Sequence, residues 1–168
     1  MKSKYDVIVV GGRVAGTSLA IQLARLGMDV VIFDRARLPG DTMSTHVIYP
    51  NTIARLDKLG ALDRVMAHRP PPLYTAWYHQ NRMFVAPHTP EGGRDWALCI
   101  RRSTLDRHLQ DCAREAGVDI VSPGSRVRSK ITTSIPNLAN WMARLVPATR
   151  PPTTTTSYFD LITASSCL

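Results

Sequence analysis

The chain has 168 residues, 44% of them hydrophobic, enough for one domain with a real core and too few for a typical two-domain enzyme. Its net charge of +8 and pI near 9.9 would suit nucleic acid or an acidic membrane, but from Gly124 onward Asp160 is the one acid against Arg126, Arg128, Lys130, Arg144 and Arg150, so much of the excess belongs to one C-terminal segment. With no basic cluster interleaved with aromatics, no run of about 18 apolar residues and no leader-like N-terminus, the sequence argues against a nucleic-acid partner, stable membrane insertion and secretion, and the expected location is cytoplasmic.

The first element is an apolar strand, Val7-Ile8-Val9-Val10, which runs into Gly11-Gly12-Arg13-Val14-Ala15-Gly16. Leu19, Ala20, Leu23 and Ala24 then recur at helical spacing, Gly27 stops the helix, and Val30 to Phe33 make a second buried strand ending at Asp34. This is the dinucleotide-binding layout of a βαβ unit. The strand must turn sharply so that free N–H groups and the positive end of a helix face a pyrophosphate, and an acid about 20 residues on meets the ribose hydroxyls. Gly11 permits the turn and Gly16 lets helix and strand approach. Arg13 replaces the middle glycine, so its side chain points away or lays a guanidinium beside the phosphates.

Arg35 to Asp41 reads as a loop, leading through Thr42-Met43-Ser44-Thr45-His46 into Val47-Ile48. Pro50 and Asn51 start a helix carrying Ile53, Leu56, Leu59 and Leu62, with Gly60 as a break, and Pro70-Pro71-Pro72 halts any continuation. Leu73 to Tyr78 and Met83 to Ala86 suggest a hairpin around Gln80-Asn81, although Asn-Gly is absent. Pro87 to Asp95 is a loop and Trp96 to Ile100 a short strand. Ser103 or Thr104 caps a helix whose apolar face is Leu105, Leu109, Cys112 and Ala113, closed by Gly117. Val118 to Val121 returns a third parallel strand, giving an α/β fold with a small antiparallel insertion.

Cys99, Cys112 and Cys167 lack metal or CxxC spacing and read as reduced thiols. His68, His79, His88 and His108 read as surface histidines; His46 stays a candidate because of its loop.

Taken together, these landmarks resemble the N-terminal part of FAD-dependent oxidoreductases of the p-hydroxybenzoate hydroxylase type and the related geranylgeranyl reductase-like enzymes. Gly11-Gly12-Arg13-Val14-Ala15-Gly16 is similar to a G-G-R-x-A-G variant of that family's FAD loop, and Asp34-Arg35 to its acid-arginine pair. Asp41 to His46 resembles a loop near the flavin, which nominates Thr45 and His46. Arg101 to Asp106 resembles an R-x-x-L-D segment whose arginine, here Arg102, lies close to FAD. The resemblance implies a Rossmann-like FAD-binding domain, a small-molecule substrate, and NAD(P)H as electron donor in intact relatives. The bound flavin would carry either oxygen activation or carbon–carbon double-bond reduction. No side chain stands out as a general acid, base or nucleophile, so no catalytic residue is nominated.

The resemblance covers roughly Lys4 to Val121. It divides the chain into a domain at 1–122, with part of a substrate domain inserted at about 70–100, and an atypical segment at 123–168. The later Asp-Gly and Gly-Asp segments of the family do not follow, and Pro151-Pro152 and Thr153 to Thr156 dominate instead. The expectation is a C-terminally truncated chain with a disordered tail produced by a reading-frame shift or shortened gene model near residues 122–130. Leu138, Trp141, Met142 and Leu145, spaced for one face of a short helix after Pro136-Asn137, are its best local structure. Weak FAD affinity follows from such truncation. Two alternatives remain: an NAD(P)-binding Rossmann dehydrogenase with an unrelated small domain, against which the Arg101 to Asp106 segment argues, and a non-catalytic nucleotide-binding fragment.

Overall fold

The computed structural model describes residues 5–123; the expected helical stripe at Leu138 to Leu145 and the rest of the tail lie outside the described residues. In chain order the elements are β1 (Val7–Val10), α1 (Val14–Arg25), β2 (Val30–Phe33), β3 (Val47–Ile48), α2 (Pro50–Lys58), α3 (Leu62–Met66), β4 (Thr75–His79), β5 (Arg82–Ala86), β6 (Leu98–Cys99), α4 (Arg102–Glu115) and β7 (Asp119–Val121).

The main sheet is parallel in the order β1-β2-β7, with Val7 opposite Val30 and Val10 opposite Phe33, and Val31 opposite Asp119. Its middle strand, β2, is buried at all four positions, which is why its sequence is continuously apolar rather than alternating. Edge strand β1 buries Val9 but leaves Ile8 50% and Val10 67% exposed, so one of its faces is covered and the other open. Beyond the two strands that β2 joins, Tyr5 donates its hydroxyl to Asp119 Oδ2 at 2.7 Å, and burial together with that carboxylate pushes the phenol well above its ordinary pKa.

Helices α1 and α4 pack on the sheet, and α2 and α3 extend the same core through Ile53, Leu56, Leu62 and Val65. The α1 face differs from the sequence expectation. Leu19 is 49% exposed, while Thr17 and Ile21 join Ala20 in the interior. The inward face of α1 therefore keeps the expected Ala20, Leu23 and Ala24, adds Thr17 and Ile21, and leaves out Leu19. Arg25, in the last turn of α1, donates to the Lys58 and Leu59 carbonyls at 2.6 and 3.0 Å and so satisfies free acceptors at the end of α2.

The expected apolar face of α4 is buried as anticipated, but its start is not capped as anticipated. The N-cap is Arg101, with no side-chain cap, and Ser103 and Thr104 fall inside the first turn. Short strands β3 and β6 pair antiparallel, Val47 opposite Cys99, a pairing that two-residue strands do not announce in sequence. The hairpin forms from β4 and β5, with Trp77 opposite Phe84. Its turn residues, Gln80 and Asn81, both have positive φ, 44° and 60°, as a two-residue primed turn requires even without glycine. Trp77, Tyr78, Met83 and Phe84 are all exposed, so the hairpin stands apart from the core.

Candidate functional site

The site grows from the C-terminal ends of β1 and β2, where a parallel α/β sheet leaves room for ligands. Gly11 leaves β1 with φ 102° and its N–H donates to the Phe33 carbonyl at 2.7 Å. A side chain at Gly11 would meet open space, while a Cβ at Gly16 would lie 1.9 Å from the Gly11 carbonyl oxygen. The first glycine is thus needed for backbone conformation and the last for close approach.

Helix α1 begins immediately after Arg13 and has neither a side-chain cap nor an acidic residue in its first turn. The N–H groups of Val14, Ala15 and Gly16 find no acceptor among the described residues. Three unmatched donors at the positive end of a 12-residue helix, beside a glycine whose outer side is open, form a fitting receptor for a pyrophosphate.

Asp34 is 8% exposed and braces this loop. Its Oδ2 accepts from the Gly12 N–H at 2.7 Å and its Oδ1 from the Ala36 N–H at 2.8 Å. Each oxygen keeps a further lone pair for a ribose hydroxyl. Arg13 turns toward the following loop, donating to the Gly40 and Asp41 carbonyls at 3.2 and 3.3 Å and to Asp106 Oδ2 at 3.3 Å. Its guanidinium thus ties the glycine loop to the loop at Gly40 and Asp41 and to Asp106 on α4.

Arg102, in the first turn of α4, donates through Nε and Nη2 to Asp106 Oδ1, both at 3.2 Å. Asp106 is fully buried between the two guanidiniums. Burial pushes its carboxyl above the ordinary carboxylate pKa, and Arg102 and Arg13 hold back part of that rise. One turn further on, Gln110 is also fully buried and donates Nε2–H to the Gly12 carbonyl at 3.0 Å, leaving its own Oε1 without a partner.

His46 has φ 61°, and its Nδ1 is buried without a hydrogen-bond partner. Its carbonyl accepts from the Ile100 N–H at 3.1 Å, which ties the loop end to the chain entering α4. The structure therefore gathers Gly11, Gly12, Arg13, Val14, Ala15, Gly16, Asp34 and Arg102 around one loop, with His46 attached through Ile100. Arg35 and Thr45 are exposed and hydrogen-bond to none of this cluster. Val14 and Ala15 also border a groove of ≈ 800 Å³ between α1 and α2. That groove contains neither Gly11, Asp34 nor Arg102, so it flanks the loop without enclosing it.

Sequence reasoning nominated neither Asp106 nor Gln110. A signal for them exists: Arg102, Asp106 and Gln110 recur every four residues and form a polar stripe beside the apolar face of Leu105, Leu109 and Cys112. Buried polar residues in register with an apolar face need partners from neighbouring elements, here the Arg13 guanidinium for Asp106 and the Gly12 carbonyl for Gln110.

Comparison with known proteins gives this geometry its context. The FAD binding domain family model matches residues 4–133. Over 135 residues the chain is 27% identical to a probable electron transfer flavoprotein-quinone oxidoreductase of Escherichia coli strain K12, covering 76% of this chain and 30% of that protein. A rifampicin monooxygenase of Rhodococcus hoagii is 32% identical over 123 residues, covering 73% of this chain and 25% of the relative. Among solved structures, 2-methyl-3-hydroxypyridine-5-carboxylic acid oxygenase is 28% identical with a TM-score of 0.58, over 68% of this chain and 30% of that one. The chain spans about 30% or less of the length of these relatives. With its Rossmann-like sheet, its glycine loop and the match over residues 4–133, the chain belongs to the FAD binding domain family.

Proposed function

We propose that this chain is the adenosine-and-pyrophosphate-binding part of a flavin-dependent oxidoreductase acting on a small-molecule substrate, either as a monooxygenase or as a reductase. The observation that carries the reading is the set of uncapped N–H donors at Val14, Ala15 and Gly16 beside the open Gly11. These donors would bind the pyrophosphate, Asp34 would orient the adenosine ribose through its remaining lone pairs, and the loop from Gly40 to His46 would approach the flavin end. The bound flavin supplies the redox chemistry; the protein supplies position and electrostatics.

The monooxygenase or reductase outcome rests on the kinds of protein this chain is similar to, and NAD(P)H as the reductant on the family resemblance of its sequence alone. We assign the FAD domain to residues up to 122, with the β4–β5 hairpin as part of a substrate-binding insertion. Among the described residues no helix is long and apolar enough to cross a membrane. A cytoplasmic location is in keeping with the free thiols of Cys99 and Cys112.

The test is titration of the chain with FAD, read by quenching of flavin fluorescence, with ADP and NADH as competitors. Saturable FAD binding that ADP displaces and Gly16→Ala abolishes is the expected result. Binding of NADH in preference to FAD would overturn the flavin assignment.

A further inference from the structure

Away from the glycine loop, α3 and α4 run antiparallel and are joined by two side-chain contacts. At one end Arg64 donates Nη2 to both carboxylate oxygens of Glu115, at 2.7 and 2.8 Å. At the other, His68, just beyond the end of α3, brings its Nε2 to within 2.9 Å of His108 Nε2 on α4. The ring centroids are 5.1 Å apart and the planes are tilted by 46°. His68 is exposed and His108 half-buried, so solvent reaches the gap between the rings.

From this juxtaposition we infer a site for a divalent late transition ion, zinc in the first instance, held by His68 Nε2 and His108 Nε2 with water in its remaining positions. Among the described residues no three His, Cys, Asp or Glu side chains gather in a metal site, so these two imidazoles are the ligands the described residues offer and the other positions are left to water. In the metal-free pair one Nε2 carries a hydrogen and the other accepts it. Binding an ion needs both rings as their Nδ1–H tautomers, with both Nε2 lone pairs directed at the metal.

The geometric change is small. With Zn–N near ~2.05 Å and a tetrahedral angle, the two Nε2 atoms stand ~3.3 Å apart and the ring centroids ~5.2 Å apart. The observed centroid separation is already 5.1 Å. The rings need only tilt in place so that the nitrogens open by a few tenths of an ångström, and the α3 and α4 backbones can stay where they are. The ion would replace a shared proton as the link between the helices. The Arg64–Glu115 pair is a second, solvent-exposed contact across the same seam.

Cys112, one turn beyond His108 on α4, is not a third ligand. Its thiol faces the Gly60 carbonyl at 3.6 Å, and burial raises its pKa, which disfavours the thiolate. Asp111 is engaged with Arg114 at 2.8 Å.

The experiment is titration of the full chain with zinc chloride, and separately with nickel chloride, by calorimetry and by imidazole-ring NMR. One ion per chain is expected, with the ring signals of His68 and His108 shifting while those of His46, His79 and His88 stay in place. The variants H68Q and H108Q, checked for folding by circular dichroism, are each expected to lose saturable uptake. Absence of saturable uptake by the wild-type chain, its retention in either folded variant, or shifts confined to the other three histidines would overturn the proposal. The NMR result on the unmodified chain decides the matter even where a variant folds poorly.

Discussion

The Gln110 side chain donates to the Gly12 carbonyl at 3.0 Å across ninety-eight residues of sequence, in a site with no exposure to water. The other polar group of Gly12, its N–H, goes to Asp34. A helix late in the chain and an acid at the end of β2 thus hold one glycine of the loop from two sides. The conformation that leaves the α1 N–H groups open is imposed by these partners as well as by the glycines themselves.

Gln110→Leu keeps most of the side-chain volume and removes the donor, leaving the Gly12 carbonyl buried and unmatched. The expected loss is about 1–3 kcal/mol of stability, measured by urea denaturation, accompanied by weaker FAD binding. Unchanged stability would mean that water reaches the Gly12 carbonyl and that Gln110 is not its needed partner.

Gly16→Ala is expected to cost about 3 kcal/mol or more. The new methyl would press on the Gly11 carbonyl oxygen, a backbone atom that cannot swing aside as a side chain would. A denaturation midpoint close to that of the wild type would show that the loop can relax away from α1.

Arg13→Ala separates two roles. The guanidinium contacts the Gly40 and Asp41 carbonyls and Asp106, and the side chain is 30% exposed. Its removal should cost about 1–2 kcal/mol, reduced from the buried value because solvent screens part of the interaction. FAD affinity should stay within about threefold of wild type, under the tenfold that about 1.4 kcal/mol represents, because the guanidinium is engaged with Gly40, Asp41 and Asp106. A loss of FAD binding with stability intact would return Arg13 to direct phosphate contact.

Asp106 gives a pH dependence whose sign is fixed. Burial raises its folded pKa above the unfolded value, with Arg102 and Arg13 opposing. The folded state therefore binds the proton more readily. The associated stability is fully present below the unfolded pKa and is lost as pH rises through the folded one. The check is the denaturation free energy of wild type minus that of Asp106→Asn, followed from about pH 4 to about pH 7, the range above the ordinary carboxylate pKa. The difference should move against the wild type as pH rises. Movement in the opposite direction would show that the two arginines outweigh burial and depress the pKa.

The βαβ unit was legible because its constraints are local: an apolar run, a glycine turn, a helix stop and a second apolar run each leave their own mark on the sequence. A third parallel strand was legible in the same way, since Val118 to Val121 repeats the buried-strand composition after a helix, but its place beside β2 has no local mark in the sequence. Asp106 and Gln110 escaped notice because their importance comes from partners far away in sequence, Arg13 and Gly12, which no local period encodes. The β3–β6 pairing was hidden for a related reason: each strand has two residues, too few to show alternation. In α1 the error had a different cause. Hydrophobicity favours Leu19 there, but the close approach of helix to strand at Gly16 brings the small Thr17 inward beside the expected Ala20 and leaves Leu19 half exposed.

The hairpin turn offers a prediction in the stabilising direction. Gln80 and Asn81 both occupy the left-handed region, with φ of 44° and 60°, where an L-residue is strained by roughly 1–2 kcal/mol and asparagine or glycine much less. Replacing the pair with Asn-Gly, by Gln80→Asn together with Asn81→Gly, should relieve part of that strain without altering any strand residue. Because Trp77, Tyr78, Met83 and Phe84 are exposed and the hairpin lies outside the core, the gain belongs to local opening rather than to global unfolding. Amide hydrogen exchange across Thr75 to Ala86 is the appropriate measurement. A gain of about 1 kcal/mol corresponds to roughly fivefold slower exchange in the two strands, with protection in β2 and α4 unchanged. Faster exchange in the double variant would mean that the turn gains more from the native side chains than it loses in backbone strain.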